Sequence, residues 1–350
     1  MAIKKLLERA TELKASDIHI TVGVPCTYRI HGKLVYADNN ILLPEDTKRL
    51  VRQLCNDTQF EILNKKGEID FSYSMPGMQR YRVNAYRQRN SYSAALRIVG
   101  SKIPAFEELG LPSVVRDLSL VSRGIILVTG PTGSGKSTTL ASMIDYINNN
   151  LDRHIITIED PIEYLHRHRK SIVNQREVGS DTISFANALR AALRQDPDII
   201  LIGEMRDLET ISTALTAAET GHLVLSTLHT VGATKTIDRI IDAFPPYQQQ
   251  QVRIQLSMLL QAVVSQQLLT RRDGNGRVVA VETMIVNSAI RNIIREAKVH
   301  QINNVIQTSA SKGMMLMDDA LAELYNKQLI SREDALMYSV DQEYMKKKIL

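Results

Sequence analysis

At 350 residues, 44% of them hydrophobic and 23% charged, the chain has room for two ordinary domains, each with its own core. The 43 basic and 38 acidic residues leave a net charge of +5, spread along the chain and too mild to mark a nucleic-acid-binding tail. Two isolated cysteines, Cys26 and Cys55, with no CxxC pair, exclude a disulfide framework and a cysteine-based zinc site, so a reducing compartment is expected.

The opening MAIKKLLERA sets charges at helical spacing among apolar residues, which predicts an amphipathic helix and not a signal peptide. No stretch approaches the ~18 consecutive apolar residues that span a bilayer, so work at a membrane would go through partners. Short alternating runs follow at 18–22 (IHITV) and 27–30 (TYRI), a turn at 31–33 (HGK), then further strands at 70–74 (DFSYS) and 81–86 (YRVNAY). Residues 1–99 therefore read as a small α+β domain. The segment 100–112, with Pro104, Gly110 and Pro112, interrupts all periodicity and is the expected linker, leaving 113–350 as the second domain.

That domain begins with the most specific motif of the chain. The stretch 124–138, GIILVTGPTGSGKST, is a short apolar strand running into a G-x-x-x-x-G-K-S loop. Gly130, Gly133 and Gly135, with Pro131, Thr132 and Ser134 between them, let several backbone N–H groups converge on phosphates. Lys136 reaches the β/γ-phosphates, Ser137 offers a hydroxyl to Mg²⁺, and Thr138 continues a helix, expected to run to Tyr146, whose positive end faces the anion. The ligand is a nucleoside triphosphate, ATP or GTP.

Beyond the loop, strand and helix signals alternate: strands at 154–158, 199–202 and 223–227, helices at 184–195 and 207–220. This βα succession predicts a largely parallel sheet with reactive residues at the carboxyl ends of its strands. Glu159 and Glu163 follow one such strand and Glu204 another, where a carboxylate can aim at Mg²⁺ or water. His222 and His229 bracket a third, and the one at the carboxyl end could donate to a γ-phosphate oxygen. The stretch 248–269 mixes glutamines with leucines and valines, a turn at 273–276 precedes a strand at 278–284, and the remainder is mostly helical, with a capping box at 331–334. In 289–296 (AIRNIIRE), Ile290, Ile293 and Ile294 form an apolar stripe at helical spacing, while Arg291, Arg295 and Glu296 are expected off it, presenting charge outward. On the residues alone, the basic cluster of Arg80, Arg82, Arg87, Arg89 and Arg97 also fits a nucleic-acid face, but no stacking-rich module accompanies it.

These motifs resemble the type II/IV secretion ATPase superfamily, most closely its PilT-like retraction motors of type IV pili. The resemblance rests on ASDIHI at 15–20, YRVNA at 81–85, the phosphate loop, the "Asp box" ITIEDPIE at 156–163, QREVG at 175–179, ALRQDPDIILIGEMRD at 192–207, and the "His box" ETGHLVLSTLH at 219–229. The stretch 289–296 is similar to the AIRNLIRE motif of the retraction motors. Extension and secretion motors usually carry a longer N-terminal region and a four-cysteine zinc module, neither found here; they are the alternative reading, together with a nucleotide-dependent regulatory protein.

The resemblance implies an α/β fold, a RecA-like P-loop core with a smaller PAS-like N-terminal domain, assembled as a homohexamer. It implies an ATPase using ATP and Mg²⁺ to power pilus retraction. By residue, it implies Glu163 as general base, Glu204 as the acid near Mg²⁺ alongside Ser137, His229 at the γ-phosphate, and Arg82 and Arg97 as arginines delivered on closure, with His222 structural. The implied partners are an inner-membrane platform protein and the pilus machinery, with neither nucleic-acid binding nor membrane insertion. The implied location is cytoplasmic, at the inner face of the cytoplasmic membrane.

Overall fold

A computed structural model describes residues 3–30, 32–75, 80–99 and 103–349. By internal packing the chain forms two compact units: Met1–Lys102 with Pro161–Leu165, and Ile103–Asp160 with His166–Leu350. His31 of the expected turn and 100–102 of the expected linker lie outside the described residues.

The first unit opens with α1 (Ile3–Glu12), whose Ile3, Leu6, Leu7 and Ala10 recur at helical spacing and are all buried. Strands β1 (Asp17–Ile20), β2 (Thr27–Ile30) and β3 (Lys33–Tyr36) follow, then α2 (Pro44–Leu54), α3 (Asp57–Lys66), β4 (Glu68–Ser74), β5 (Arg80–Gln88) and β6 (Ser91–Ile98). The six strands form one antiparallel sheet in the order β3-β2-β1-β6-β5-β4. Its inward residues, among them Ile18, Ile20, Tyr81, Val83 and Leu96, share a core with Leu50, Val51 and Leu63 of the helices. Helix α3, which the hydrophobic pattern did not announce, is bounded by local chemistry. Asn56 and Gln59 cap each other reciprocally, and Gly67 ends the helix at a φ of 89°.

The second unit begins with α4 (Phe106–Leu109) and α5 (Ser113–Leu118). The alternation then runs β7 (Gly124–Thr129), α6 (Lys136–Asn150), β8 (His154–Glu159), β9 (Ile172–Glu177), α7 (Phe185–Ala192), β10 (Ile199–Ile202), α8 (Leu208–Glu219), β11 (Leu223–Leu228) and α9 (Ala233–Asp242). The ambiguous stretch of glutamines and leucines divides into α10 (Pro246–Leu259) and, without a loop, β12 (Leu260–Thr270). β13 (Arg277–Ile285), α11 (Ser288–Arg295), α12 (Ile302–Thr308), α13 (Met317–Asn326), α14 (Arg332–Tyr338) and α15 (Gln342–Lys348) complete it. Ser331 caps α14 through the N–H of Asp334, as its sequence predicts.

The sheet order is β13-β12-β7-β11-β10-β8-β9; every neighbouring pair is parallel except the β12/β13 hairpin. This is the RecA-like α/β core. Its central strands β7, β10 and β11 read as nearly continuous apolar runs because both faces are covered. Ile125, Leu127, Ile156 and Ile200 pack on one side against helices α7 to α11, while Ile126, Val128, Ile155 and Leu225 pack on the other against α5 and α6. Helix α11 buries Ile290, Ile293 and Ile294 as its spacing predicts. Arg291 departs from that expectation: its Nη1 donates to Ser257 O and Met258 O, both at 2.7 Å, and so closes the C-terminus of α10. Among the described residues no helix is long and apolar enough to cross a membrane.

Candidate functional site

Parallel pairing sets the site, since adjacent strands deliver their following loops to one edge of the sheet. β7 ends at Thr129, register partner of Leu228 on β11, and the Gly130 N–H donates to Leu228 O at 3.3 Å. The phosphate loop and His229 therefore begin side by side. On the other flank of β11, Ile202 of β10 pairs with Ser226, which brings Gly203 and Glu204 to the same edge. The Ser226 hydroxyl donates to Ile202 O at 2.8 Å and the Thr227 hydroxyl to Gly203 O at 2.6 Å, pinning the turn that carries Glu204.

The loop itself is closed below and open above. A Cβ on Gly130, whose φ is 139°, would lie 2.2 Å from Gln266 O, so β12 packs directly beneath it and admits no side chain. At Gly133 and Gly135 (φ 79° and 92°) a Cβ would meet nothing within 4 Å, leaving free space over the backbone amides. Lys136 Nζ donates to Gly130 O at 2.8 Å and Pro131 O at 2.9 Å, which suspends its ammonium across the loop. The buried Ser134 Oγ finds no hydrogen-bond partner among the described residues. Pro131, Thr132 and Gly133 are exposed, and Ser137 and Thr138 sit half-buried on the first turn of the fifteen-residue α6. An open amide cradle, a lysine, an unsatisfied hydroxyl and a helix N-terminus fit a nucleotide's phosphates. Beside them is a cavity of about 220 Å³ lined by Glu108, Leu111, Thr138, Gln266, Arg277 and Val279.

Glu204 has two nitrogen neighbours at this edge. Its Oε2 lies 2.7 Å from Arg206 Nε and 3.5 Å from His229 Nε2, with the carboxylate largely shielded from solvent. Glu159 ends β8, where its Oε1 accepts from the Thr157 hydroxyl at 2.7 Å and Gln175 Nε2 at 3.1 Å. Gly203 fits between these acids because a Cβ there would sit 3.3 Å from Glu159 Cα. Glu163 is exposed and belongs by internal packing to the first unit. His222, at the opposite end of β11, places Nδ1 2.8 Å from Ala217 O and serves the end of α8.

Arg82 and Arg97 belong to the first unit, directly opposite each other on β5 and β6, and both are exposed. Arg97 Nε donates to Asp17 Oδ1 at 3.0 Å. Burial alone would raise the Asp17 pKa, but the hydrogen bonds from Arg97 and Ser16 and the Arg97 charge hold it below the usual carboxylate value.

Gln266 is a contributor that the motifs did not single out. Its amide exchanges hydrogen bonds with the Thr139 hydroxyl at 2.8 and 3.2 Å, tying α6 to β12, while its carbonyl forms the floor under Gly130. The available signal was polar: Ser265, Gln266 and Gln267 fall between the apolar pairs Val263–Val264 and Leu268–Leu269 and are all buried.

A family model described as "Type II/IV secretion system protein" matches residues 1–333. The "Type IV pilus retractation ATPase PilT" of Pseudomonas aeruginosa is 51% identical over 335 residues, covering 96% of this chain and 97% of that one. A "Twitching motility protein" of Neisseria gonorrhoeae is 49% identical, covering 95% and 91%. The crystal structure of the pilus retraction motor PilT with bound ADP superposes with a TM-score of 0.92 at 52% identity, covering 99% of both chains.

Proposed function

Because the chain belongs to the type II/IV secretion system protein family, we propose that it is an ATPase that powers the retraction of type IV pili. The observation that carries the chemistry is the shared edge of β7, β10 and β11, where the phosphate loop, Glu204 and His229 emerge together. ATP binds with its phosphates over the amides of 130–138, neutralised by Lys136 and the N-terminus of α6. Mg²⁺, held by the Ser137 hydroxyl and by Glu204, supplies further charge neutralisation at the phosphates when bound.

His229, at the carboxyl end of β11 with its Nε2 3.5 Å from Glu204 Oε2, is assigned as donor to the terminal phosphate, which ties the presence of that phosphate to Glu204. Glu163 is assigned as the base that orients and deprotonates the attacking water, and Arg82 and Arg97 as donors to charge that develops in the transition state. Both assignments place part of the catalytic set outside the nucleotide-binding unit. Hydrolysis then depends on a domain closure, a usable property in a motor. The domain division we propose is 1–99 and 113–350, connected by 100–112, of which Phe106 and Leu111 pack with the second unit. The working assembly is a homohexamer acting at the inner face of the cytoplasmic membrane through a platform protein of the pilus machinery.

The deciding experiment is deletion of the gene in a piliated host. Surface filaments should persist while twitching is lost, and a Lys136→Ala copy should fail to restore movement. Loss of the filaments themselves would replace retraction by assembly as the function.

A further inference from the structure

Five strands of the first sheet carry register partners in a single transverse row: Arg29 on β2, Asp17 on β1, Arg97 on β6, Arg82 on β5 and Ser72 on β4. Directly opposed residues project from the same face, so Arg82 and Arg97 are like charges held side by side, an arrangement that costs stability unless it is compensated. The compensation is one-sided. Asp17 lies on the far side of Arg97 from Arg82, its carboxylate only 14% exposed, and it meets Arg97 and Arg29 but not Arg82.

The two carboxylate oxygens divide their partners. Oδ1 accepts from Arg97 Nε at 3.0 Å; Oδ2 accepts from the Ser16 hydroxyl at 2.9 Å and stands 3.6 Å from Arg29 Nε. A guanidinium held through Nε keeps both terminal amino groups, and four of its five N–H donors, available for another anion. The Arg97 side chain is 75% exposed, so this contact fixes its orientation without covering it.

We propose that Asp17 is a positioning residue for Arg97, gripping one edge of the guanidinium so that its terminal fork is presented in a set direction, while Arg82 is left to adapt. The two arginines are then unequal: Arg97 is pre-oriented and Arg82 is mobile. This inference rests on the assignment of both arginines to ATP hydrolysis. A pre-oriented donor spends no ordering entropy at the moment of reaction, and the loss of such orientation is felt in turnover more than in substrate binding.

The test is a double-mutant comparison on the full-length assembled protein, measuring kcat and KM for ATP. Asp17→Asn should lower kcat roughly tenfold with KM little changed. The same substitution in an Arg97→Ala background should have no further effect, whereas in an Arg82→Ala background it should keep its full effect. Arg29→Ala, which removes the other ion pair of Asp17, should leave kcat unchanged.

An equal proportional loss in both backgrounds would mean a general structural contribution and would overturn the inference. So would a wild-type kcat in Asp17→Asn beside a depressed kcat in Arg97→Ala. Should Asp17→Asn not fold, Arg97→Lys tests the same point, since it keeps the charge but removes the Nε grip. It should lose nearly as much turnover as Arg97→Ala, and full activity would refute positioning. If Arg97→Ala itself turns over normally, the hydrolytic assignment of that arginine falls, and the role of Asp17 with it.

Discussion

Lys136 shows how the loop prepares its charge: two loop carbonyls hold the ammonium in place, so little reorganisation accompanies phosphate binding. Lys136→Ala should abolish hydrolysis and leave thermal unfolding near that of the wild type, because the lysine, though buried, serves the phosphate loop and is a member of neither hydrophobic cluster of the unit's sheet. The two proposed acids separate by a similar argument. Glu163→Gln should retain nucleotide affinity and lower turnover by at least ~100-fold, since shape is kept and proton acceptance lost. Glu204→Gln should lower turnover with an altered Mg²⁺ dependence, and normal hydrolysis by Glu163→Gln would reassign the base. The cysteines make a different statement. Burial pushes the Cys26 thiol up to about 12, with the Asp38 charge adding to it, and burial pushes Cys55 up to about 11 against the opposing charge of Arg52. The unfolded thiols ionise near 9.0 while the folded ones keep their protons. Stability is therefore present below pH 9 and is lost as pH rises from there toward the folded values, by less than ~1.4 kcal/mol per pH unit per thiol. Denaturant midpoints compared at about pH 8 and about pH 10 should fall less in a Cys26→Ala/Cys55→Ala variant than in the wild type.

Helices α10 and α11 illustrate how packing reassigns a residue that its own element leaves ambiguous. At helical spacing Arg291 lies off the isoleucine stripe, as does Arg295, and the one-dimensional pattern treats them alike. Packing separates them, because the C-terminus of α10 falls within reach of Arg291 and offers two carbonyls that its own helix leaves unpaired. Arg295 stays exposed, and among the described residues its guanidinium donates to Asn292 of the same helix. Arg291→Ala should therefore destabilise the protein by about 1–3 kcal/mol in denaturant unfolding. Arg295→Ala should change stability by less than about 0.5 kcal/mol and leave ATPase activity intact. If 289–296 couples hydrolysis to the pilus machinery, twitching alone is lost in Arg295→Ala. Loss of ATPase activity together with twitching would make the helix catalytic or structural instead, and retention of both would make its outward charge dispensable.

The molecule is assembled from two units with separate cores, and the residues proposed for catalysis are divided between them. Arg82→Ala and Arg97→Ala should each lower turnover while nucleotide binding, measured by equilibrium titration, remains. Co-assembly of Arg97→Ala chains with Lys136→Ala chains then locates the action. Activity above that of either pure assembly requires an arginine to serve its neighbour's nucleotide; no gain assigns the arginine to its own chain.

The phosphate loop, the parallel core and the strand-end acids were legible in the amino-acid sequence because each is specified by local order: glycines where positive φ is needed, apolar runs where both faces are covered, and a βα alternation that admits few topologies. The isoleucine stripe of α11 was legible for the same reason of periodicity. What required the tertiary structure was every relation between residues distant in the chain. The approach of His229 to Glu204, the floor that Gln266 forms under Gly130, and the Arg29–Asp17–Arg97–Arg82 row depend on which strands pair and in what register. The split of 246–270 into α10 and β12 is a further case, since glutamines and leucines suit either form and pairing with β7 selects the strand. Local chemistry names the groups that can react, and only the long-range pairing of the sheets decides which of them meet.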